Sequence, residues 1–363
     1  MCYRSQALRR AALAACTWAL ALPAHAQSAP AGKTAEQQFK NIQALQGTPA
    51  DQVLPAMQFM AASLGVECEF CHVEGKLDSD DKPAKKTARK MIAMTLAINK
   101  DSFDSGKEVT CYSCHRGSHD PVGTPPVLTG DAEPTHAEAA PAPSTAAAPT
   151  ADQILDKYVA AVGGAAALHK ISSRVSKGNI IAMGHESAIE VFAKAPDKRM
   201  SVTHMGSGES ITAFDGQGGW LGNTGRPARD MSGQEAEAAR LDADFYFATQ
   251  IKEIFTGFRV GRPDTIDGHP AYGLICMRQG RPPVRLYFDQ SSGLLLRQVR
   301  YTDTPVGRNP TQIDYADYRE VDGVKVPFRW TLARVNGRFT IQIQEATQNV
   351  PIDDSKFAKP AGQ

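Results

Sequence analysis

The sequence has almost no net charge: 40 Lys and Arg against 39 Asp and Glu in 363 residues leave a formal charge of +1. That balance gives no electrostatic footprint for nucleic acid, and none for an acidic surface. Membrane-length apolar runs are also missing. The apolar run near the N-terminus, residues 11–23, is too short to span a bilayer, and no later stretch is apolar enough to cross one. Histidines in metal spacing are scarce as well. His169, His185, His204 and His269 show no i, i+4 pairing and are expected to be structural or exposed. What is present is an ordinary hydrophobic content of 42% and enough length for two or three domains.

The N-terminus reads as an export signal. Arg4, Arg9 and Arg10 form a basic region, residues 11–23 an apolar one, and Ala24-His25-Ala26 a small-x-small cleavage site. Residues 1–26 are therefore expected to be removed and the protein to reach the periplasm. Leu13-Ala14-Ala15-Cys16 resembles a lipobox, and cleavage there would leave a lipid anchor on Cys16. The apolar run continues past Cys16, which favours the cut after Ala26.

Five cysteines remain after export: Cys68, Cys71, Cys111, Cys114 and Cys276. An oxidising compartment makes disulfides the default use. Four of these thiols, however, form two adjacent pairs, a poor spacing for stapling a fold. Cys276, in the run Tyr272-Gly273-Leu274-Ile275-Cys276-Met277, is expected in an apolar strand as a buried small hydrophobe.

The paired thiols read Cys68-Glu69-Phe70-Cys71-His72 and Cys111-Tyr112-Ser113-Cys114-His115. Three chemistries use Cys-x-x-Cys. A zinc site could take its four ligands from two such pairs. A thioredoxin-like dithiol needs the motif at a helix start after a strand. Haem c attachment needs a histidine directly after the second cysteine: the thiols add to the porphyrin vinyl groups and the imidazole binds the iron. Only the third explains why both copies end in His, and it suits an exported chain. Two covalently bound haem c groups are the expected cofactors.

Each iron then needs a sixth ligand or keeps an open site. A Met thioether gives a stable, higher-potential electron carrier. Before the first motif, Val53, Met57, Met60 and Leu64 follow i, i+4, i+7, i+11 and share a helix face, with a start near Thr48, Pro49 and Asp51, or a few residues later because of Pro55, and an end at Gly65. Before the second, Thr87, Met91, Met94 and Ile98 share a face. Spacing does not choose between Met57 and Met60, or between Met91 and Met94.

The rest of the chain divides by composition. Residues 27–40 read as a disordered leader and residues 41–120 as helical. Residues 121–150 form a Pro/Ala/Thr-rich extended linker. Residues 151–170 read as one helix and 235–254 as another. Between and after them come alternating runs such as Val284-Arg285-Leu286-Tyr287-Phe288 and Phe339-Thr340-Ile341-Gln342-Ile343. Asp215-Gly216, Asp267-Gly268, Asp322-Gly323 and Asn336-Gly337 are turn signals, and Asn-Gly in a tight hairpin calls for positive φ at both residues. The expected fold class is multidomain, α plus α+β. It comprises a signal peptide (1–26), a small helical dihaem c-type cytochrome domain (27–120), the linker (121–150) and a curved antiparallel β-sheet with helices (151–363).

A Met-bearing helix, a Cys-x-x-Cys-His, the stretch ARKMIAMTLAINK and then VTCYSCHRG together resemble the cytochrome c subunit of the photosynthetic reaction centre, over roughly residues 40–119. That family carries four haems in two pairs; the two motifs here match one pair. The resemblance implies electron transfer, with a haem lying parallel to a helix that donates its axial Met. It therefore implies Met57 for the haem on Cys68 and Cys71, and Met91 for the haem on Cys111 and Cys114, with Met60 and Met94 as alternatives. YREVDGVKVPFRW followed by FTIQIQEATQNVPIDDSKF resembles the lipoprotein-sorting and outer-membrane lipoprotein carrier domains. That likeness implies a sheet able to hold an acyl chain, and a lipid or lipoprotein partner.

Some residues are weighed separately. His119 and His136 are alternative axial ligands, with solvated surface the favoured reading of both. Lys82, Lys85, Lys86, Arg89 and Lys90, after Asp78, Asp80 and Asp81, form a basic face that is ordinarily solvated, or that steers an acidic redox partner. Arg116 pairs with a haem propionate or is a surface charge. Three functions follow: a periplasmic dihaem electron carrier serving redox protein partners without substrate turnover, a dihaem peroxidase-type enzyme, or a lipid- or lipoprotein-binding protein with a haem docking or sensing module.

Overall fold

The computed structural model describes residues 32–121, 123 and 149–360. The signal peptide, the Cys16 anchor, nearly all of the linker and His136 lie outside the described residues.

The helical part comes first: α1 (Ala35–Gln38), a 3-10 turn (Ala50–Gln52), α2 (Val53–Leu64), α3 (Cys68–Cys71), α4 (Pro83–Ser102) and α5 (Cys111–His115). Pro55 sits in the first turn of α2, where its missing N–H costs no bond. Gly65 ends that helix at φ 65°, ψ 35°, a conformation that suits a residue without Cβ. Pro83 opens α4 at its first position. The leader expectation needs correction. Thr34 bridges Pro49, Ala35 N–H donates to Thr48 O at 2.7 Å, and Ala35 is fully buried, so order begins before residue 41.

The single helix expected over 151–170 is two: α6 (Ala151–Ala161) and α7 (Ala165–Leu168). Gly163 and Gly164, at φ 117° and 83°, turn the chain out of the helix between them. Helix 235–254 is likewise divided into α8 (Gly233–Ala243) and α9 (Phe247–Ile254), with Asp244 extended at ψ 104°.

The strands are β1 (Ser173–Ala182), β2 (His185–Lys194), β3 (Lys198–Met205), β4 (Gly208–Asp215), β5 (Gly219–Asn223), β6 (Arg226–Asp230), β7 (Gly257–Val260), β8 (Asp264–Ile266), β9 (His269–Arg278), β10 (Arg281–Asp289), β11 (Leu295–Thr304), β12 (Gly307–Val321), β13 (Val324–Arg334) and β14 (Gly337–Gln348). They form one antiparallel sheet in the order β6-β5-β4-β3-β2-β1-β14-β13-β12-β11-β10-β9-β7, with β8 on β9. Two meanders meet where β1 pairs β14. Alternation places the core. Val284, Leu286 and Phe288 are at most 1% exposed, and with Leu274 and Cys276 they pack under α6 and α9 against Leu155 and Ile251. Each such side chain contributes about 1.5–3 kcal/mol by burial.

Asp267-Gly268 and Asp322-Gly323 turn their hairpins with positive φ at both residues (48° and 83°, 48° and 80°). Asn336-Gly337 does not. Arg334 pairs with Gly337, so the turn residues are Val335 and Asn336, and neither Asn336 nor Gly337 has positive φ. The hairpin is there by a different turn.

The described residues form one compact unit, with the helical part seated on the sheet. The tip of the β11–β12 hairpin makes the joint. Val306, 1% exposed, lies in a core with Leu45, Ala56 and Ile92. Phe59 of α2 covers Gly307, leaving no room for a Cβ there, and Asn309 Nδ2 donates to Pro55 O at 2.6 Å. Lys107 Nζ lies 3.2 Å from Asp303 Oδ1. Gly307→Val is therefore expected to lever α2 off the sheet. After cleavage at a protease site placed within residues 124–148, the wild-type halves should co-elute on size exclusion and the variant halves separate; co-elution of both would contradict this seating.

Candidate functional site

One cavity of about 430 Å³ lies within the helical part, and both Cys-x-x-Cys-His motifs line it. Cys68, Cys71, His72, Cys111, Cys114 and His115 all border it. So do Met57, Met60 and Leu64 of α2, and Thr87, Met91, Met94 and Ile98 of α4. The α4 stripe read from the sequence thus faces the cavity whole. In α2 the first member, Val53, is buried without bordering the cavity. Met57 and Met60 also pack against the Ala56–Ile92–Val306 core, whereas Met91 and Met94 are exposed at 36% and 45%.

Each motif is held by its own loop. After the first, the turn Val73–Lys76, with Gly75 at φ 68°, brings Leu77 O to 2.8 Å from His72 Nδ1. After the second, Arg116 and Gly117 at φ 50° and 89° reverse the chain and put Ser118 O 3.0 Å from His115 Nδ1. A carbonyl oxygen only accepts, so both rings carry the proton on Nδ1. Both Nε2 atoms then keep a lone pair, as a metal-binding imidazole requires. Burial comes first in pushing the Cys71 thiol up, offset by the Lys82 charge; burial likewise raises Cys111.

The two motifs are also tied together. Gly117 N–H donates to Ser63 O at 2.8 Å, and a Cβ on Gly65 would run into Gly117 O. The end of α2 therefore rests on the loop that follows α5. Asn99, 6% exposed, makes the second tie. Its Nδ2 donates to Val109 O at 2.6 Å while Val109 N–H donates to its Oδ1 at 3.0 Å, joining the end of α4 to the entry of α5. Among the described residues, no three His, Cys, Asp or Glu side chains converge to hold a metal ion, and the four thiols border the shared cavity.

The basic face of α4 is put to use, in part against expectation. Lys85 is only 8% exposed, and its Nζ donates to Leu77 O at 2.9 Å and Ser79 O at 2.7 Å. Lys82 Nζ donates to Glu69 O at 2.8 Å, and Arg89 pairs with Asp80 at 2.9 Å. Lys86 and Lys90 are exposed. His119 is exposed. It borders the cavity, with its ring 5.9 Å from that of Phe70 and Nε2 3.2 Å from Asp120 Oδ2. Arg116 is exposed. Sequence reasoning missed Asn99, and it placed Lys85 on a solvated face rather than folded back onto the loop after the first motif.

Residues 5–159 match the family model of the photosynthetic reaction centre cytochrome C subunit. Curated relatives agree over a shorter stretch. The chain is 31% identical over 91 residues to the photosynthetic reaction center cytochrome c subunit of Thermochromatium tepidum, covering 24% of this chain and 22% of that one. It is 37% identical over 95 residues to the Roseobacter denitrificans subunit, covering 23% and 25%. It is 31% identical over 97 residues to cytochrome c-554 of Chloroflexus aurantiacus, covering 24% and 23%. The match thus spans about a quarter of the length of these relatives. Among solved structures, a LolA superfamily protein from Nitrosomonas europaea is similar over 58% of this chain and 99% of its own, at 15% identity and TM-score 0.40. A putative outer membrane lipoprotein-sorting domain from Vibrio parahaemolyticus is similar over 57% and 95%, at 11% identity and TM-score 0.41.

The cytochrome resemblance is to an electron-transfer, c-type family and implies covalently bound haem c. The residues here fit that group: paired thiols, imidazoles with free Nε2 and thioethers border one cavity. Asn99→Ala would leave Val109 N–H and C=O without their partner, and is expected to destabilise the chain by about 1–3 kcal/mol in urea unfolding. Asp80 is held at about 2, first by its hydrogen bond from Arg89. The sign follows: a depressed carboxylate stabilises above its unfolded value near 4, and that contribution is lost as pH falls towards 2. Asp80→Asn should therefore flatten that part of the acid-unfolding profile.

Proposed function

We propose that this protein is an exported dihaem electron carrier, cycling electrons between redox proteins in the periplasm without turning over a substrate. The observation that carries this reading is the single cavity bordered by both motifs and by the methionine faces of both long helices. Cys68 and Cys71 would hold one haem c by thioether bonds, and Cys111 and Cys114 the other. His72 and His115 would bind the irons through Nε2, with Leu77 O and Ser118 O keeping the proton on Nδ1. Met57 and Met91 would cap them, Met60 and Met94 being the alternatives.

The bound haems supply one-electron chemistry. The chain contributes position. Paired helices bring the thioethers to the cavity, the Asn99 and Gly117 ties hold the two motifs in register, and the β11–β12 hairpin closes α2 from behind. On the sheet, Leu155, Ile251, Leu274, Leu286 and Phe288 fill the face beneath α6 and α9.

Met57→Ala and Met91→Ala should each convert one haem to a high-spin form that binds carbon monoxide, while the wild type resists the gas. Optical spectra of the reduced protein with and without carbon monoxide check this. Unchanged spectra in both variants would overturn the ligand assignment, and carbon monoxide binding by the wild type would favour a peroxidase-type enzyme.

A further inference from the structure

The two histidines share a tautomer but not an environment. Leu77 O accepts two hydrogen bonds, one from His72 Nδ1 at 2.8 Å and one from Lys85 Nζ at 2.9 Å. The ammonium is buried against this loop and is fixed by Ser79 O as well. Asp80 Oδ1 stands 3.4 Å away, but Arg89 pairs with the same carboxylate, so the cluster keeps positive charge beside His72. Asn41 Nδ2 holds the loop from the far side through Asp78 O and Asp80 Oδ1, at 2.6 and 2.9 Å. His115 has no counterpart among the described residues: its hydrogen bond to Ser118 O is accompanied by no cationic side-chain donor to that oxygen.

We propose that Lys85 is a positioning residue that sets the reduction potential of the haem at His72 above that of the haem at His115. This rests on the dihaem reading. Two effects act in the same direction. A cation near an iron centre favours the state with one more electron. A carbonyl that already accepts from an ammonium is also a weaker acceptor for the imidazole N–H. His72 then has less imidazolate character, and the oxidised iron is less stabilised. The inequality gives electrons within the pair a preferred resting place, on the haem of the first motif.

The test is a spectroelectrochemical titration of the full-length holoprotein, resolved into two components. Lys85→Met should lower the reduction equilibrium constant of the higher-potential component by at least about tenfold and leave the other in place. Lys85→Arg should stay near wild type. Asp80→Asn removes the negative charge beside Lys85 and should move the same component the opposite way, which keeps the idea testable if Lys85→Met fails to load haem. No shift in either variant, or equal shifts of both components, overturns the proposal while leaving the dihaem reading intact. Wild-type protein that binds no haem overturns that reading instead, and this inference with it.

Discussion

The hydrogen bond from Gly117 N–H to Ser63 O, with Gly65 pressed against Gly117, is the constraint that makes two motifs one site. The Asn99–Val109 pair adds a second tie, between α4 and the entry of α5. The Gly65–Gly117 contact needs a residue at Gly65 that both adopts left-handed geometry and presents no side chain, and glycine alone meets both demands cheaply. Once α2 rests on the loop after α5, the methionine face of α2 and that of α4 are turned towards the same cavity.

The sheet is more than an appendage on this arrangement. Val306 enters the core of the helical part, and Phe59 closes over Gly307. The same hairpin strand supplies Asp303, which receives Lys107 from the helical part and Gln234 from α8. Arg300 on β11 pairs with Asp242 at 2.7 Å, binding α8 to the sheet. The hairpin is thus held from both sides.

Much of the site was legible in the sequence because its chemistry is local. Cysteine and histidine adjacency, and methionines at helical spacing, survive any reasonable fold. The alternating strands were legible for the same reason: Val284, Leu286 and Phe288 face inward as their period requires. What was not legible depended on long-range placement. Nothing in the order of residues says that Lys85 folds back onto Leu77 O, that Asn99 meets Val109, or that Val306 enters a core more than 200 residues distant in sequence. Propensity alone also ran two helices past their breaks at Gly163-Gly164 and Asp244, where backbone geometry and tertiary seating win over composition. The Asn336-Gly337 pair shows the reverse case: the hairpin formed, but register moved the turn back by one residue.

The proposed function requires covalent attachment of two porphyrins through Cys68, Cys71, Cys111 and Cys114. Intact-mass spectrometry of the exported protein under denaturing conditions tests it most directly. The expected chain is heavier by two haem groups, reduced to one when either cysteine pair is replaced by alanine. A chain at the bare polypeptide mass, with any pigment released by the denaturant, would contradict it.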